Sequence, residues 1–206
     1  MRILVAALMI TGLAGCAKRP VPPDWQLDAR NALEAAVGAY LEGNDRIADV
    51  EMARARRALG ATARPDLLAR AELVRCAAQV ASLVLAPCAA FDALAVDAAP
   101  AERAYAAYLR GAPADPALLP AQHRGVGTGQ RLTASEDPLA RLIAAGVLLQ
   151  RQSLSDAELT AAVDTSSAQG WRRPLLAWLG EQQRRARAAG DDAEAQRVQR
   201  RIDLVR

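Results

Sequence analysis

Three observations predict an all-α fold. Apolar residues recur at steps of three and four, no stretch alternates with the period of a strand, and prolines and glycines fall where helices begin and end. Alanine dominates a composition that is 52% hydrophobic and only 3% aromatic. Alanine favours helix more than any other residue and lets helices approach closely. The expected architecture is antiparallel helical hairpins, stacked as a bundle or a short solenoid, in a single domain over residues 24–206.

Asp24 is placed to cap a first helix from Trp25 to Glu42, and Gly43 is its natural stop. Its apolar stripe is broad, with Ala29, Leu33, Ala36, Val37, Tyr40 and Leu41 on it. Asn44 or Asp45 caps a second helix that ends near Gly60 and carries Ala48, Met52, Ala55 and Leu59. So short a break predicts an antiparallel pair. Pro65-Asp66 opens a third helix whose period runs on to Leu85. Leu73, Ala77, Val80 and Val84 make a second face of it apolar, so it is expected to be central and buried.

A short fourth helix holds Phe91 and Leu94. Pro100 starts a fifth, which carries Tyr105, Tyr108 and Leu109 and stops at Gly111. The pattern breaks between Ala112 and Ala134, where three prolines precede three glycines. This irregular loop reads as a flexible connection. It is also the first place to look for binding, because long structureless loops in compact domains are often functional. It contains the single histidine, His123, beside Arg124. Helix resumes at Asp137-Pro138 and runs to about Gln150. Ser155 and Glu158 have the spacing of a capping box for the next, to about Ser167. Trp171 to Ala189 and Asp191 or Asp192 to Val205 complete the chain, parted by Gly190.

Leu13-Ala14-Gly15-Cys16 follows Arg2 and a short apolar run. That run is below the roughly 20 apolar residues a spanning helix needs. The tetrad resembles the lipobox of bacterial lipoproteins. The resemblance implies cleavage before Cys16, a diacylglycerol thioether on its sulfur, and acylation of the new amine. Residues 1–15 are then a signal peptide, and residues 16–23, rich in proline, an extended tether. Ala17 stands where an inner-membrane retention signal would carry aspartate. By resemblance, the expected location is the inner leaflet of the outer membrane, facing the periplasm. Two or three acyl chains anchor stably where one does not.

Gly43-Asn44 is followed by Ala48, Met52 and Ala55, and Gly190-Asp191 by Ala195, Gln199 and Ile202. Both resemble the turn and second helix of a tetratricopeptide repeat, with Met52 and Gln199 where an aromatic is expected.

Cys76 and Cys88 are an even pair for an oxidising compartment. A disulfide between them requires the chain to reverse tightly at Leu85-Ala86-Pro87; the alternative is two small buried thiols. Catalytic signatures are missing from the sequence. One histidine cannot supply a His-Glu-x-x-His site, no Gly-x-Ser-x-Gly elbow is present, and Gly125-Val-Gly-Thr-Gly129 lacks the lysine of a phosphate loop. Ser135-Glu136 reads as helix-start capping rather than a lytic carboxylate. Neither a metal nor another cofactor is expected. The net charge of +3 falls by one once Arg2 leaves, too little to argue for nucleic acid.

Residues 171–206 hold nine arginines against five acidic residues. With His123 and Arg124, Arg184, Arg185 and Arg187 are the candidate partner-binding residues, although a solvated helical face also accounts for the arginines. The functional expectation is a non-catalytic binding or assembly module for an envelope protein complex, held to the membrane by its anchor. A peptidoglycan-active enzyme or its regulator, and a purely structural envelope lipoprotein, are the alternatives.

Overall fold

The computed structural model describes residues 22–126 and 135–206. The leader, Cys16 and most of the tether lie outside the described residues, as do Gly127 and Gly129 of the central loop. Among the described residues the protein is all-helical and has no strand: α1 Asp24–Glu42, α2 Asp45–Gly60, α3 Pro65–Ala81, α4 Ala89–Asp92, α5 Pro100–Leu109, α6 Pro138–Gln150, α7 Asp156–Ala168, α8 Arg172–Ala188 and α9 Asp192–Val205.

The expected start signals operate at α7 and α9 but not at the first two helices: Asp24 lies inside α1, whose cap position is Pro23, and Asn44 occupies the cap position of α2 without a side-chain hydrogen bond. Ser155 and Glu158 form the reciprocal capping box of α7, and Asp191 accepts from Glu194 N–H at the start of α9. Asp137 caps α6 by accepting from Leu139 and Ala140, so the cap is not in Ser135-Glu136, and Glu136 is exposed.

The α1–α2 hairpin forms as expected, and α8 pairs with α9 in the same way. Helix α3 is central, touching α1, α2, α4, α5 and α6. From α6 the chain packs helix by helix through α7, α8 and α9, and α8 also returns to α1. In an open solenoid each unit meets only its neighbours. The α8–α1 contact makes this a bundle instead. Its main core runs from α3 to α9 around Phe91, Tyr108, Leu142, Val147, Trp178 and Val198; a smaller one joins α1, α2 and α3 through Met52, Leu59 and Ala71.

Helix α3 stops earlier than its apolar period. It ends at Ala81, and Val84 and Leu85 are exposed. Leu83 adopts φ +58°, its N–H bonds to Val80 O, and Val84 N–H bonds to Gln79 O. That pair of bonds is a Schellman stop, usually built on glycine. The reversal therefore lies at Ser82-Leu83 rather than at Leu85-Ala86-Pro87. It brings Cys76 and Cys88 to disulfide distance, with Cα atoms 5.9 Å apart and both residues buried.

The central loop is more ordered at its start than a flexible connection. Residues 116–118 and 121–123 form short 3-10 turns, Leu119 is buried, and His123 is fully buried.

Candidate functional site

His123 was expected among the partner-binding residues, and the structure corrects this. It has no exposed surface and packs against two tyrosines of α5, Tyr105 and Tyr108, in a three-ring cluster. Its Nδ1 lies 3.3 Å from the Tyr108 hydroxyl and its Nε2 3.5 Å from that of Tyr105. Burial in this aromatic cluster depresses the imidazole to about 4, with the Asp137 carboxylate opposing the shift. Burial likewise raises both phenols, which stay protonated. The cluster fastens the loop to α5, and His123 itself presents no surface to a partner.

The arginines divide by environment. Arg124 donates to Leu119 O and braces its own turn. Arg185 bonds Glu181, Asp156 and Leu154 O, tying α8 to the start of α7. Arg184 pairs with Glu181 at the surface. Arg187 is exposed and makes no side-chain hydrogen bond or ion pair with a described residue. Arg124 and the α8 arginines sit on different elements and share no hydrogen-bond or ion-pair partner among the described residues.

The two buried glutamates are structural. Glu72 of α3 takes two bonds from Arg56 of α2, at 2.6 and 2.9 Å, and Glu102 of α5 is held by Arg70 of α3. These pairs tie α2 to α3 and α3 to α5, and the second oxygen of Glu102, Oε2, is buried without a hydrogen-bond partner among the described residues. Among the described residues no three metal-ligating side chains converge, and no helix is long and apolar enough to cross a membrane.

Two concave, largely apolar surfaces lie elsewhere, around α1. An open groove of about 600 Å³ runs along the α1–α3 seam and is bounded by Leu139 and Trp171. Its floor is apolar, with Trp25, Leu33, Val37, Leu67 and Val74 among its lining. Polar groups stand at the rim: Gln26, the exposed Arg30–Glu34 pair, and Arg70. A second, narrower cavity of about 160 Å³ lies between α1, α2 and α3, and Leu33, Val37 and Val74 line both.

Neither hollow was named from sequence. The signal was the width of the α1 stripe: residues 33 and 37 lie beside residues 36 and 40, more apolar surface than α2 alone can cover. In the fold α2 and α3 together leave Leu33 and Val37 only half-buried. Comparison with protein-family models, with curated proteins and with solved structures finds no match to this chain.

Proposed function

We propose that this chain is a lipid-anchored, periplasm-facing helical module that binds an amphipathic helix of another envelope protein in the α1–α3 groove. The groove carries this reading. Its lining on α1 extends from Trp25 to Leu41. At 1.5 Å per residue that is about 24 Å, the length of a helix of roughly four turns. Apolar floor and charged rim are the complement of an amphipathic helix, whose anchors recur at i, i+3, i+4 and i+7. Trp25 stands nine residues after Cys16, so the anchor would hold the groove close to the membrane and raise its effective concentration for membrane partners.

The reading is tested in membranes with a photo-crosslinker at Val37 or Leu67 in the groove and at exposed Val50 on α2 as control. Adducts at the groove positions should map to one helix of one protein with helical spacing, and Leu33→Glu should abolish them. Equal labelling from Val50, or adducts unaffected by Leu33→Glu, would reject the groove. Mass spectrometry of the mature N-terminal peptide tests the anchor separately: an unmodified Cys16 rejects it.

A further inference from the structure

The inner cavity has a chemistry unlike the groove. Its wall is apolar on three helices, including Leu33, Val37, Ala48, Met52, Val74 and Ala78. Tyr40, Asp45, Asp49 and Arg75 complete the lining. These four polar groups are not equivalent. Asp45 is engaged by Arg173, which also lies 4.2 Å over the Tyr40 ring and donates to Tyr40 O at 2.6 Å. Burial pushes the Tyr40 hydroxyl up, against the field of Arg173, so it remains a donor.

Arg75 and Asp49 carry the opposite charges. Arg75 is half-buried, and neither side chain makes a hydrogen bond or ion pair with a described residue. Several charges of α1–α3 are paired, as in Arg56–Glu72, Arg54–Asp28 and Arg64–Asp66. Arg46 and Arg57 are unpaired as well among the described residues, but they are exposed and line neither hollow, whereas Arg75 is half-buried at the cavity. A half-buried arginine beside an apolar cavity, with no ion-pair partner among the described residues, leaves its guanidinium open to a ligand's carboxylate.

We propose that this cavity is a binding site for a free α-amino acid with an apolar side chain. The ligand's carboxylate pairs with the Arg75 guanidinium, whose planar fork suits it. Its ammonium meets Asp49, and its side chain enters the apolar wall around Met52. Size agrees. A dry apolar cavity of about 150 Å³ accepts a benzene ring, so a volume of about 160 Å³ accommodates a leucine or phenylalanine side chain. The cavity shares Leu33, Val37 and Val74 with the groove wall, but Tyr40, Asp45, Asp49 and Arg75 do not line the groove, so this proposal does not rest on the helix-binding reading.

Calorimetric titration of the full chain with L-phenylalanine and L-leucine tests it, together with the Met52 methyl NMR signal. Saturable one-to-one binding that shifts the Met52 signal is expected. Glycine lacks the side chain, 3-phenylpropionate the ammonium and phenethylamine the carboxylate, so each should bind at least tenfold more weakly. Arg75→Gln and Asp49→Asn lie on half-buried and exposed positions and should keep the fold, checked by circular dichroism. Each should weaken L-phenylalanine at least tenfold. No saturable binding of either amino acid at millimolar concentration overturns the proposal. So does binding that survives Arg75→Gln, or 3-phenylpropionate binding as tightly as phenylalanine.

Discussion

His123 shows how a single titratable residue can be structural. In the unfolded chain its imidazole takes up a proton below about 6.5, whereas in the folded protein it does so only below about 4. Between those values the unfolded state holds more protons, so stability rises with pH. It is fully present above 6.5 and is lost as pH falls toward 4. The shift corresponds to about 3 kcal/mol at about 1.36 kcal/mol per unit. Urea midpoints between pH 4 and 7.5 should fall with acidity in the native protein and fall distinctly less in His123→Gln. Equal pH dependence in the two would show that another group titrates. The sequence marked this residue as informative but not its role. A lone histidine in a proline-rich stretch reads as exposed until Tyr105 and Tyr108, on a different element, are seen to cover it.

At the scale of elements, helix ends and helix contacts obey different logic. Gly43, Gly111 and Gly190 were legible as stops because positive φ suits glycine, and each indeed lies there. Leu83 and Gln152 do the same work with side chains that carry no such signal, bonding back to Val80 and Leu149. This is why the predicted end of α3 ran on to Leu85. Gly146 poses the reverse case, since it sits inside α6 in a run of buried residues. A Cβ there would meet Val80 O at 2.5 Å and Val80 Cγ1 at 2.8 Å. The glycine is what lets α6 cross α3 so closely. Gly146→Ala gains helix propensity but must force α3 and α6 apart. A net loss of about 1–3 kcal/mol is expected by chemical denaturation. An unchanged or higher midpoint would mean that the contact relaxes freely.

At the scale of the whole molecule, closure depends on side chains that reach between distant segments. Trp178 of α8 is fully buried and donates from Nε1 to Ala81 O at the end of α3. Arg173 of α8 satisfies Tyr40 O at the end of α1, where a cation also favours the helix dipole, and pairs with Asp45 across the α1–α2 turn. Arg173→Ala should therefore loosen one side of the bundle. Hydrogen exchange should accelerate through residues 24–60 and stay unchanged in α6 and α7. Uniform acceleration would mean that the α1–α2 hairpin does not open separately. The arginine-rich C-terminal segment thus includes residues devoted to the fold as well as exposed ones, a division that its composition could not reveal.

From its sequence alone this protein has a determined helical inventory, a hairpin at each end, a central α3 and a pairable couple of cysteines. Those properties depend on neighbours along the chain: a cap, a breaker, or an apolar period of three to four residues. Tertiary structure alone decided the closed bundle, the burial of His123, the partners of the arginines and the two hollows beside α1. Most of these arise from groups distant in the chain meeting in space, 15 residues apart for Tyr108–His123 and 133 for Tyr40–Arg173, and from where packed helices fail to fill the room between them. No local pattern encodes either.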